Sequence, residues 1–151
     1  MKNKLLLLII ASIFLWGCRE VAPLEVPAIS EVAVVKVTGG GAPKGTLVNK
    51  ITDRKQITNI LAFINENNTD WYRPIDTFPT PQFTIWFENE RNENILVLWL
   101  GSNWLGGEPE PKGPLMPQLR KMDKRQNDKI RNLLGVQQGH HNRLSTARDL
   151  W

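Results

Sequence analysis

Five aromatic residues, Trp71, Tyr72, Trp86, Trp99 and Trp104, are the side chains of this sequence best suited to binding chemistry. Large rings of this kind anchor protein interfaces and stack on sugars. The groups that could do bond-making chemistry are poorly arranged by comparison. Glu88, Glu90 and Glu93 surround one polar turn, where water keeps carboxylates ionised, whereas acids that act as catalysts are usually perturbed in clefts. His140 and His141 are adjacent on a segment without apolar period, and no third ligand is placed to join them on a metal. Ser145 and Asp149 share that segment, but a hydrolytic triad needs a rigid scaffold to hold its members within hydrogen-bond reach. Gly40, Gly45 and Thr46 approach the spacing of a phosphate-binding loop, yet Lys44 stands before Gly45 instead of after it, so a hairpin turn is expected. The single cysteine, Cys18, excludes an internal disulfide and a cysteine-built zinc site. No catalytic set, metal site or cofactor site is expected.

The elements that must position the aromatics follow from periodicity. Length favours one domain: the chain has 151 residues, 41% hydrophobic and 23% charged, ordinary for a globular fold. Val32 to Val37 is dense in β-branched residues and stops at a glycine run, so a strand is expected, with a returning strand over Thr46 to Lys50. Asp53 followed three residues later by Gln56 is a capping pattern, and Ile57, Ile60, Leu61 and Ile64 then recur at helical spacing. A helix over 53–66 results, with Asn65, Asn67 and Asn68 as a stop that tolerates left-handed backbone. Trp71 to Pro81 is too rich in proline for regular structure and should be a connection pinned by its rings.

Phe83 to Glu88 alternates, with Phe83, Ile85 and Phe87 toward one face and Thr84, Trp86 and Glu88 toward the other. Ile95 to Leu100 is apolar throughout, as expected of a strand covered on both faces. Gly107 to Pro117 reads as a loop or irregular edge. Asp123 and Gln126 repeat the capping pattern, Ile130, Leu133 and Leu134 supply a stripe, and Gly135 closes a second helix. Arg120, Lys121, Lys124, Arg125, Lys129 and Arg131 read as a solvated basic face. The expectation is an α+β fold, a small antiparallel sheet of about four strands with two helices packed on one face. Trp86 should then lie on the opposite face, where proline-rich segments either cover it or leave an apolar patch.

The N-terminus carries an address. Lys2 and Lys4 precede Leu5 to Trp16, a run that is apolar except for Ser12. That length suits the core of a secretory signal, about 7 to 15 residues, and falls short of the roughly 20 needed to span a bilayer. Leu15, Trp16, Gly17 and Cys18 follow in a pattern that resembles the lipobox of bacterial lipoprotein precursors. The resemblance covers these N-terminal residues alone, and it implies cleavage before Cys18 and acylation of that residue. Membrane lipid, through palmitate-like chains, is then the first partner. Arg19, where an aspartate commonly signals inner-membrane retention, implies the outer membrane facing the periplasm in a Gram-negative host.

The expected organisation is a signal peptide over 1–17, the lipidated cysteine and an extended tether over 18–30, a globular domain over 31–135, and a flexible tail over 136–151. Loss of Lys2 and Lys4 removes two charges from a formal +4, so the basic balance is no footprint of nucleic acid. The leading functional expectation is a non-enzymatic envelope protein that binds a protein partner through its aromatic surface. Two alternatives stand beside it: a glycan-binding or glycan-processing factor, and an inhibitor or immunity-type lipoprotein that blocks a periplasmic enzyme.

Overall fold

A computed structural model describes residue 21 and residues 23–40, 45–74, 77–109 and 117–136. The expected signal segment with Cys18, the expected C-terminal tail beyond residue 136, and His140, His141, Ser145 and Asp149 within it lie outside the described residues. In chain order the elements are β1 (Val34–Gly39), β2 (Leu47–Ile51), α1 (Arg54–Glu66), β3 (Phe83–Glu88), β4 (Asn94–Leu100), β5 (Trp104–Pro109), β6 (Gln118–Lys121) and α2 (Lys124–Leu134). The strands form one antiparallel sheet in the order β2-β1-β3-β4-β5-β6.

The fold is α+β as expected, but the sheet has six strands and not about four. The two unexpected strands break the usual signals for physical reasons. Gly106 and Gly107 look like a turn, yet both sit inside β5 because their neighbours leave no room for a side chain. A Cβ on Gly106 would lie 3.0 Å from the Phe78 ring, and one on Gly107 would lie 2.9 Å from Leu24. β6 is short and inverts the pattern, since its core-side residues are Gln118 and Arg120.

Register explains the core. Val35 faces Phe87, which faces Leu96; Val37 faces Ile85, which faces Leu98; Phe83 faces Leu100, which faces Leu105. These alternate residues share one face of the sheet, and they join Ile57, Ile60, Leu61, Phe63 and Ile64 of α1 and Ile130 and Leu134 of α2 in a single buried apolar cluster. Asp53 caps α1 by accepting from the Gln56 amide at 2.7 Å, while the Gln56 side chain donates across to the carbonyl of Leu133. Asn67 ends α1 with φ −112, so it stops the helix through its side-chain bond to the Phe63 carbonyl and not through left-handed backbone. In α2 the reciprocal capping box forms in full between Asp123 and Gln126, and Gly135 closes the helix in the left-handed region.

The N-terminal stretch packs on this frame. Leu24 is buried, and its amide donates to Asn68 Oδ1 at 2.8 Å while Asn68 Nδ2 donates back to its carbonyl at 2.7 Å. Val21 and Val26 pack against the same cluster. No described helix is long and apolar enough to cross a membrane.

Candidate functional site

The face of the sheet turned away from the apolar cluster is ordered in rows. One row runs Lys36, Trp86, Val97; the next runs Thr38, Thr84, Trp99, Gly106, Leu119; Trp104 then faces Lys121. Three of the expected aromatics, Trp86, Trp99 and Trp104, therefore share a surface. Phe78, delivered by the connection between α1 and β3, stands edge-on to Trp99 at 5.4 Å and to Trp104 at 5.3 Å. T-shaped pairs of this kind gain about 0.5 to 1.5 kcal/mol beyond burial. Together with Gly106, which leaves space for the ring, Phe78 buries the Trp104 end of the face, and Trp104 is left only 8% exposed.

The other end stays more open. Trp86 and Trp99 are half-buried, and the Trp86 indole donates to Thr38 Oγ1 at 3.2 Å. Beneath them Thr84 is fully buried and donates to the carbonyl of Gly40. Beside Trp86, Lys36 Nζ lies 2.6 Å from the Glu88 carboxylate, whose residue is 7% exposed. Glu88 is thus separated from Glu90 and Glu93: it belongs to β3 and is paired, whereas the other two are exposed around the turn. Alternation along β1 and β3 places Lys36 and Glu88 on this same face. Neither Phe78 nor this ion pair carries a local signal in the sequence, because both contacts depend on strand order.

Trp71 and Tyr72 do not join the set. Trp71 is part of the apolar cluster, with its indole donating to Asn68 Oδ1 at 2.9 Å. Tyr72 is exposed at the outer edge of β6, where it exchanges two backbone hydrogen bonds of 2.8 Å with Leu119. Asp70, Tyr72 and Lys121 line a shallow depression there.

The basic face expected of the second helix is smaller than its sequence suggests, because Arg120 and Lys121 belong to β6. Arg131 is 3% and Arg120 7% exposed. Arg131 donates from Nε to Asn127 Oδ1 at 3.0 Å and from Nη2 to Gln82 Oε1 and the Gly101 carbonyl, and it stacks over the Phe83 ring. Burial holds its guanidinium below the usual arginine range, and Asp128 partly opposes that shift. Arg120 donates to the Thr69 carbonyl at 3.0 Å. Both cations are structural, and Lys129 is drawn to Glu66 at 3.2 Å. Among the described residues no group of three His, Cys, Asp or Glu side chains could hold a metal ion. Protein-family models, curated proteins and solved structures all give no match to this chain.

Proposed function

We propose that this chain is a non-enzymatic, lipid-anchored cell-envelope protein whose domain binds a protein partner through the Trp86 and Trp99 end of its sheet, with both helices on the far face. The observation that carries the reading is the partial exposure of those two indoles beside a closed ion pair. Rigid aromatic area next to a neutralised polar rim suits a protein interface. The engagement of Glu88 by Lys36 favours binding over acid–base chemistry, which needs a carboxylate free to exchange a proton. Cys18 in its lipobox-like setting supplies the anchor, since each buried methylene contributes about 0.8 kcal/mol and several acyl chains hold a protein to a bilayer.

A photo-crosslinking residue placed at Trp86, in the lipidated protein of its native bacterium, tests the reading against the same residue at Thr58 on the exposed side of α1. A discrete adduct from position 86 that is absent from position 58 is expected. Identical products from both positions, or none from position 86, would overturn it.

A further inference from the structure

We infer that the partner docking on Trp86 and Trp99 is an acidic protein segment, one that sets a carboxylate on Lys50 while its apolar side chains cover the two indoles. The inference rests on the protein-binding reading of that face and adds the chemistry of the partner.

Lys50 of β2 stands directly opposite Lys36 of β1, and side chains paired in this way share one face of the sheet with their Cβ atoms about 5 Å apart. Like charges in that arrangement weaken a sheet. Lys36 is drawn off toward β3, where its Nζ meets the Glu88 carboxylate at 2.6 Å. Lys50 has no such outlet. It is exposed, and the ion pairs among the described residues are Lys36 with Glu88 and Lys129 with Glu66. The nearest acid in sequence, Asp53, has its carboxylate engaged by the Gln56 amide at 2.7 Å in the cap of α1.

A charge on β2 also guards an exposed sheet edge, but guarding does not fix its sign. Glutamate at this position would keep the edge charged and would pair with Lys36 across the strands. The sequence instead keeps a cation that its own neighbour repels, and local conflicts of this kind gather at functional surfaces. Two strand spacings separate β2 from β3, so Lys50 lies roughly 10 Å from Trp86 in the same row, and Trp99 on β4 is one spacing further, at about 15 Å. An extended segment of about five residues covers that span. Glu108, aligned with Val97 on β5, is four spacings from Lys50, roughly 19 Å, which is beyond the range at which it could neutralise the ammonium group. An incoming carboxylate closes a second ion pair at the end of the row Lys50, Lys36, Trp86, and complementary charge of this kind selects a partner and fixes its register.

Lys50→Arg and Lys50→Glu, each made in the lipidated protein of its native bacterium with the photo-crosslinking residue at position 86, test the sign of the partner. Lys50→Arg is expected to give the adduct within about twofold of the unsubstituted protein, and Lys50→Glu to cut its yield about tenfold or more, because like charges brought together oppose docking. Both variants keep a charge on β2, and glutamate meets Lys36 as an opposite charge, so both should unfold in urea no earlier than the protein with Lys50. An undiminished adduct from Lys50→Glu, or equal losses from the two variants, overturns the acidic partner while leaving the aromatic docking face intact. No adduct from the protein with Lys50 overturns the docking face itself. A second readout needs no change at position 50: in permeabilised cells, raising salt from about 0.1 to 1 M shortens the Debye length from about 10 to 3 Å, and the adduct yield should fall. A yield that stays level or rises overturns the charge contact even if Lys50→Glu proves unstable.

Discussion

Phe87 is fully buried between Val35 and Leu96, while its neighbour Trp86 is half-exposed between Lys36 and Val97. The pleat alone separates them, and their substitutions should separate too. Phe87→Ala removes a ring from the main cluster and is expected to cost about 3 to 5 kcal/mol of unfolding free energy. Trp86→Ala should cost about 1 kcal/mol. Chemical denaturation of the two variants checks this, and equal losses would show that the Trp86 face is core and not a surface. Arg131 supplies a second contrast. Its three acceptors are neutral, so Arg131→Ala strands Asn127 Oδ1, Gln82 Oε1 and the Gly101 carbonyl without releasing a buried anion. A loss of about 2 to 4 kcal/mol is expected, and Arg131→Lys should recover little of it because an ammonium lacks the planar fork. A lysine variant as stable as the parent protein would refute that account. The split between Trp86 and Phe87 is legible in the sequence, because alternation along a strand is enough to assign their faces. Arg131 differs from the exposed cations around it by sharing the helical stripe of Asn127, Ile130 and Leu134, but its acceptors Gln82 and Gly101 lie on distant segments that no local pattern names.

At the scale of elements, legibility tracks whether an element's signal is its own. Both helices are readable because their caps and stripes are local: Asp53 and Gln56, Asp123 and Gln126, then apolar residues at helical spacing. β3 and β4 are readable from alternation and from an unbroken apolar run. β5 is hidden because its glycines answer to residues far away in sequence, Phe78 over Gly106 and Leu24 over Gly107. The same contact makes the docking of the N-terminal stretch testable. Leu24→Ala should cost about 2 to 4 kcal/mol as a buried large-to-small change. Gly107→Ala, whose new methyl would meet Leu24 at 2.9 Å, should cost about 1 to 3 kcal/mol by overpacking. Since each change acts on the other's partner, the double variant should lose less than the two single losses together. Strict additivity in a denaturation cycle would mean that Leu24 does not sit on β5.

For the whole molecule, the two sheet edges are finished differently, and that difference governs how copies meet. The β6 edge is closed by Tyr72, which takes up both hydrogen-bonding groups of Leu119. Among the described residues the β2 edge has no such segment beside it, and it shows Leu47 and Val48 at 54% and 44% exposure. An exposed apolar edge templates pairing with another chain unless something spoils it. Here three features do so. The register shifts near Thr38, which breaks the regular ladder. The Lys50 amide is taken by Asn49 Oδ1 at 2.8 Å, and the Asn49 side chain is tied to the Leu134 carbonyl at 2.7 Å. Lys50 itself places an exposed charge on the strand. Removing the charge should therefore uncover the liability: Lys50→Val leaves Leu47, Val48 and Ile51 on an edge with β-branched character and no cation. Sedimentation velocity of the parent and the variant in the same detergent, over a range of concentrations, should show a self-associating species for the variant alone. Identical sedimentation of the two proteins would mean that the bulge and the Asn49 tether suffice to guard the edge without Lys50.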